Sequence, residues 1–182
     1  APGFCNATLI KKNMIVTAAH CILYAVASGD NKIRVQKGAY KYIQKNGETR
    51  KIGYMHLFEI NVNAEIEISD KLKDKTTRNS YKTRISPDED VAISWWHDNT
   101  DVFEQESFPE IIAPSEFNQL IKNFSTSKFQ VTSINPFSES STDIKRSAFL
   151  NNTKWSFTNY IKSKSTSRVE EGDSGAPLFV NF

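Results

Sequence analysis

Three short stretches of this 182-residue chain hold residue types that together can cleave an acyl bond. The first is Gly172-Asp173-Ser174-Gly175. A serine hydroxyl becomes a useful nucleophile when a base takes its proton and fixed donors hold the oxyanion that forms. Glycine two positions before the serine permits a tight turn that aims successive N–H groups at one point. The N–H groups of Gly172 and Ser174 are the candidate donors, and Gly175 leaves room for another backbone to approach. The same tetrapeptide also occurs in ordinary turns, where Asp and Ser bond their own backbone. The second stretch is Thr17-Ala18-Ala19-His20-Cys21. Histidine is the natural general base near neutral pH, with an ordinary pKa of about 6.5. A lone histidine is more often structural, but the small Ala18 and Ala19 allow close packing beneath a cleft. The third is Asp90-Val91-Ala92-Ile93. An acid at the mouth of an apolar run needs a partner, and the inner nitrogen of His20 would serve, fixing the tautomer and stabilising the imidazolium. The alternative is a capping or turn aspartate, a role that Asp88 and Glu89 fill more naturally because they lie farther from the apolar run.

Rigid elements must position these groups, and the patterning supplies short strands. Thr8-Leu9-Ile10 and Met14-Ile15-Val16 flank the polar turn Lys11-Lys12-Asn13, so His20 follows a strand. Ile33 to Gln36 alternates apolar and polar residues, as do Val62, Ala64, Ile66 and Ile68 with their polar neighbours. Asn46-Gly47 after Tyr40 to Gln44 is a hairpin signal, because both residues accept positive φ. Val91 to Ile93, Phe129 to Thr132 and Leu178 to Val180 complete the set. Short strands separated by turn signals predict an antiparallel sandwich or barrel. The one helix candidate spans Pro114 to Phe124, with Ser115 as N-cap, and a loop is its alternative. Lys71 to Arg84 and Ser138 to Ser147 are polar and read as exposed connections.

Composition sets bounds on function. Hydrophobic residues make up 38% and charged residues 24%, and twelve Phe supply bulky core material, so the chain reads as folded. A net charge of +2 leaves no footprint for nucleic acid, and no run approaches a membrane span. His56 and His97 stand outside any metal-ligand spacing, so no metal site is expected. Asn6, Asn123 and Asn151 each begin an N-x-Ser/Thr pattern, which matters in a eukaryotic secreted protein. Taken alone, Cys5 and Cys21 are two free thiols, the default in a cytosolic protein. The opening Ala1-Pro2-Gly3-Phe4 has no Met, which suggests a processed or trimmed start.

In order and in content, Thr-Ala-Ala-His-Cys, Asp-Val-Ala-Ile and Gly-Asp-Ser-Gly-Ala-Pro resemble the three signatures of the chymotrypsin/trypsin-like serine proteases. Phe4 to Ile10 resembles that family's cysteine-led strand, Ile111 to Pro114 its interdomain connection and Phe129 to Thr132 the first strand of its second barrel. The resemblance implies an all-β fold of two antiparallel β-barrels. Residues 1–110 would form the first and carry His20 and Asp90. Residues 111–182 would form the connection and a partial second barrel carrying Ser174. It implies a secreted serine endopeptidase, extracellular or periplasmic, that acts on a protein or peptide substrate without a cofactor. It also implies a Cys5–Cys21 disulfide beside the histidine, hence an oxidising compartment. The rival reading is a non-catalytic or zymogen-like homologue that serves as a binding module.

Four departures from the family pattern qualify these expectations. The family's inserted amino terminus has no counterpart, so Asp173 needs another partner. The chain stops soon after Ser174, which suggests that a second chain or further segments complete the second barrel. The position six before the serine is Arg168, whose charge would favour acidic side chains in a substrate pocket; a surface role is its alternative. Ser133-Ile134-Asn135 replaces a Gly-Trp-Gly turn, and the stretch from His20 to Asp90 is expanded, with Asp70 to Arg84 as the insertion.

Overall fold

The computed structural model describes residues 5–36, 40–43, 48–52, 59–75, 85–86, 89–97, 107–122, 128–134, 145–150, 155–157, 161–163 and 172–181. Every strand pair among them is antiparallel. β1 (Ala7–Lys11) and β2 (Met14–Thr17) form the expected hairpin, with a register shift between Leu9 and Lys11. The tip residue Asn13 accepts the backbone N–H of Trp96 at 3.1 Å and donates its amide to the Trp96 carbonyl at 2.6 Å.

α1 (Ala19–Ser28) follows β2 directly. It was not expected, although Ala19, Ile22, Leu23 and Val26 repeat at helical spacing and Gly29 ends the run. Gly29 takes φ 70°, and its N–H bonds the Val26 carbonyl at 3.2 Å, a left-handed helix stop that glycine enters without a Cβ penalty. Next come β3 (Lys32–Gln36), β4 (Tyr40–Ile43), β5 (Thr49–Ile52), β6 (Glu59–Asn63), β7 (Glu65–Ile68), α2 (Asp70–Lys75) and β8 (Ala92–Trp95). The alternation of Val62, Ala64, Ile66 and Ile68 persists, but the chain changes partners at the buried Ala64: β6 pairs with β3, and β7 pairs with β8. β4 and β5 pair as the Asn-Gly signal predicts. A two-residue Asn46-Gly47 turn would set Ile43 opposite Arg50, whereas the observed register sets it opposite Thr49. The loop therefore has an odd number of residues, and positions 44–47 lie outside the described residues. α2 departs from the reading of Lys71 to Arg84 as a surface connection, because Leu72 is buried in the core.

After α3 (Pro114–Lys122) come β9 (Lys128–Ile134), β10 (Lys145–Leu150), β11 (Trp155–Phe157), β12 (Ile161–Ser163) and β13 (Leu178–Asn181). α3 confirms the one helix candidate but not its cap. Pro114 is itself helical, and Phe117 N–H bonds the Ala113 carbonyl at 2.8 Å, so Ala113 is the cap and the helix starts two residues earlier than a Ser115 cap allows. The stretch Ser138 to Ser147, read as a connection, already belongs to β10 from Lys145.

The strands form one four-stranded sheet in the order β1-β2-β8-β7, a three-stranded sheet β10-β9-β13, and three two-stranded pairs. These sheets are open, and no closed barrel is formed among the described residues. β4 sits against β9 and β13. One core cluster joins Leu9, Ile15, Ala25, Ile33, Val62, Ala64 and Trp96 between the four-stranded sheet, α1 and the β3–β6 pair. A second cluster joins Ala19, Leu23, Ile68, Leu72 and Ala92, which seats α1 and α2 on the sheet at the end where the candidate residues lie. Among the described residues, no helix is long and apolar enough to cross a membrane.

Candidate active site

The register of β2 and β8 explains why His20 meets Asp90. Thr17 pairs with Ala92, so continuing the ladder by two residues sets Asp90 beside Ala19. There Asp90 uses both carboxylate oxygens. Oδ1 accepts the His20 backbone N–H at 2.8 Å, and Oδ2 lies 2.7 Å from His20 Nδ1. The Ala19 N–H also bonds Asp90. The first N–H groups of a helix lack internal partners, and Ala18 at the N-cap has no side chain able to supply one. Asp90 therefore caps α1 from the neighbouring strand and orients the imidazole at the same time. The two roles weighed for it in the sequence are both filled.

The His20 side chain is 46% exposed and that of Asp90 23%. The hydrogen bond to Asp90 raises the His20 pKa; partial burial opposes it, and the carboxylate charge adds to it. For Asp90, burial alone would push the pKa up. Hydrogen bonds from the His20 ring and backbone, with the imidazolium charge and the Ala19 N–H, outweigh that and hold it below the usual carboxylate value. With Nδ1–H directed at Asp90, the lone pair of the neutral ring sits on Nε2, as a general base requires.

Ser174 occupies a type II turn. Ala176 N–H bonds the Asp173 carbonyl at 2.9 Å, and Gly175 takes φ 80° at the third position, where a left-handed residue is needed. Asp173 is 3% exposed, and its Oδ1 accepts the hydroxyl of Ser133, itself buried on β9, at 2.5 Å. The buried Asp173 carboxylate is thus partnered by Ser133.

Two links join this turn to the histidine. Cys5 and Cys21 form a disulfide across a separation of 16 residues, worth about 3 kcal/mol in the chain-entropy account. Their sulfurs lie within 4.8 Å of a His20 ring nitrogen, but the covalent bond between them leaves one imidazole, not a set of metal ligands. The second link is Asn6. Its backbone N–H bonds the Ser174 carbonyl at 2.6 Å, its amide bonds the Gly172 carbonyl at 2.8 Å, and its own carbonyl accepts the Thr17 hydroxyl at 2.6 Å. Asn6 is buried with its amide engaged, so its N-x-Thr pattern is not an exposed glycan acceptor. Sequence reading missed this role, because one Asn after a Cys carries no signal of what folds over it. Asn123, Asn151 and Arg168 lie outside the described residues.

The structure thus brings His20 onto Asp90 and ties the Ser174 turn to the residue next to Cys5. The serine hydroxyl makes no hydrogen bond to His20 among the described residues. Contacts of this kind are often long until substrate binds.

Gly175 sits in close contact with the frame. A Cβ there would strike the Asn6 carbonyl and the Thr17 hydroxyl. Gly175→Ala is expected to cost about 1–3 kcal/mol for the strained backbone alone. It is also expected to lower turnover about a hundredfold by shifting the turn. A thermal melt and kcat measured on one preparation test both, and unchanged values in the two would show that the close approach has no consequence.

The family model for trypsin matches residues 2–101. Trypsin-1 of Gadus morhua is 34% identical over 80 residues, which is 43% of this chain and 32% of that protein. The chain therefore aligns with about a third of the length of this curated relative. Since the matched stretch takes in more than half the chain and contains both His20 and the aspartate that caps and orients it, the chain belongs to the trypsin family.

Proposed function

We propose that this chain is a secreted serine endopeptidase. The observation that carries the proposal is the doubly bonded Asp90, which presents His20 as a base beside the disulfide-anchored frame of the Ser174 turn. Ser174 Oγ attacks a peptide carbonyl carbon while His20 Nε2 takes its proton. The Gly172 and Ser174 N–H groups hold the oxyanion. The C–N bond breaks as His20 returns the proton to the leaving amine, and water resolves the acyl-enzyme by the same steps. No metal or cofactor enters these steps. In this reading the β1-β2-β8-β7 sheet belongs to a first antiparallel barrel over residues 1–110. The β10-β9-β13 sheet belongs to a partial second barrel over 111–182, and the substrate lies in the cleft between them. A second chain or further segments would complete the second barrel. The disulfide supports an oxidising compartment outside the cytosol. Arg168 would favour an acidic side chain in the substrate.

One observation favours a second reading, a zymogen-like or non-catalytic binding module: among the described residues, Ser174 Oγ makes no hydrogen bond to His20. A fluorophosphonate probe separates the two. The enzyme is expected to become labelled at Ser174 in a ratio near one to one, and His20→Ala to abolish labelling. Slow labelling points to the zymogen-like form, and none at all to the binding module.

A further inference from the structure

We infer that Asn6 is a positioning residue that sets the direction of the oxyanion donors and keeps them in register with His20; this rests on the proposed triad. Three successive carbonyls of the nucleophile turn each have a donor. The Gly172 carbonyl accepts the Asn6 amide, the Asp173 carbonyl accepts Ala176 N–H, and the Ser174 carbonyl accepts Asn6 N–H. A trans peptide is planar, with its N–H opposed to its C=O. Fixing the Asp173 carbonyl on Ala176 therefore turns the Ser174 N–H to the opposite side. Asn6 locks the peptide planes on either side of it. Gly172, the other donor, has φ 96°, a region that glycine enters easily and from which it can rotate away. Its carbonyl anchor on the Asn6 amide limits that rotation. One residue thus grips the turn at two points, one through its backbone and one through its side chain.

The grip extends to the base. The Asn6 carbonyl accepts the hydroxyl of Thr17, which is buried at the end of β2, three residues before His20. Two ties then run from the Cys5–Asn6 segment, which holds the nucleophile turn, to the chain on either side of His20: the covalent Cys5–Cys21 bond into α1, and the Asn6–Thr17 hydrogen bond to the end of β2. The disulfide limits separation but permits torsion. The hydrogen bonds specify orientation.

Oxyanion donors strengthen their contacts only as charge develops, so displacing them lowers kcat and leaves KM nearly unchanged. Loss of a whole donor costs about a hundred- to thousandfold in kcat. Loosening both is expected to cost about ten- to a hundredfold in the oxidised full chain carrying Asn6→Ala or Asn6→Asp. The latter removes the amide donor and sets a carboxylate oxygen against the Gly172 carbonyl. Thr17→Val should move kcat in the same direction, and Thr17→Ser, which keeps the hydroxyl, should restore it. Turnover is read per active site, with sites counted by fluorophosphonate titration, so that misfolded material drops out. A kcat per titrated site equal to the parent's in both Asn6 variants, whatever their melting temperature, overturns the inference and leaves Asn6 a packing residue. The Thr17 pair decides the matter if the Asn6 variants do not fold: equal kcat in Val and Ser overturns it. A parent chain that neither labels nor turns over overturns the protease reading itself and this inference with it.

Discussion

Ser174→Ala and His20→Ala are each expected to lower turnover by roughly a millionfold, and the double variant to lose little beyond either alone. The two residues act as one unit. Without the hydroxyl the base has no proton to take, and without the base the hydroxyl stays a poor nucleophile. A residual thousand- to ten-thousandfold advantage over water is expected from binding and the oxyanion turn. The structure indicates that these losses would be chemical and not failures of folding. Ser174 contributes its backbone carbonyl to the frame, through Asn6, and alanine keeps that carbonyl. Asp90 caps α1 through the backbone N–H groups of Ala19 and His20, and alanine at 20 keeps those too. Both variants should therefore stay folded, Ser174→Ala melting close to the parent and His20→Ala losing only the pH-dependent contribution of the His20–Asp90 pair. Steady-state turnover of a fluorogenic peptide, corrected for contaminating protease, measures the effect. Activity within about tenfold of the parent in either variant, or losses that multiply in the double variant, would remove the triad assignment.

Much of this was legible in the residues, where a side chain's use follows from its immediate neighbours. Apolar alternation marked β3, β9 and the stretch that becomes β6 and β7, and short apolar runs marked β1, β2, β8 and β13, because a strand packed on a core shows its buried positions directly. The His20–Asp90 pairing was readable because both sit at strand ends, and the ladder between β2 and β8 does the rest. α1 was not read, although Ala19, Ile22, Leu23 and Val26 carry its period. Ala18 and Ala19 fit close packing beneath a cleft as well as they fit the start of a helix. Its N-terminus also lacks a local cap, since the cap is Asp90, seventy positions away. Long-range partners of this kind leave no trace in a window of sequence. The same holds for Ser133 on Asp173, forty positions apart, and for Asn6 on Gly172. Asn6 in particular offered a glycosylation pattern, and only burial against the turn shows its amide engaged elsewhere. The two-barrel division at residue 110 likewise turns on strand pairing between distant segments, which no local window of sequence specifies.

Asp90→Asn is expected to separate the two duties of that carboxylate. An asparagine keeps one oxygen to accept the backbone N–H groups of α1, so the helix cap and the fold should survive. It then presents an NH₂ group to His20 Nδ1 in place of an acceptor. The imidazole must answer with a lone pair on Nδ1 and its proton on Nε2, the nitrogen that should receive the serine proton. For this family's triad that change is known to cost about ten-thousandfold in kcat, and the same scale is expected here. The pH profile adds a second signature. Asp90 raises the His20 pKa above its ordinary value of 6.5, and activity needs the neutral ring, so the acid limb of kcat/KM should lie above that value in the parent. Removing the carboxylate charge should move the limb to lower pH. Stability follows with its own sign. The raised histidine contributes most below 6.5, and that contribution fades as pH rises through its folded value. The depressed aspartate contributes above its ordinary 3.8 and loses that contribution as pH falls through its folded value. The stability gap between parent and Asp90→Asn should therefore be widest between 3.8 and 6.5 and narrow on either side. Denaturant melts across that range, paired with kcat/KM profiles, test both. An acid limb that stays in place, or turnover within tenfold of the parent, would reduce Asp90 to the helix cap alone.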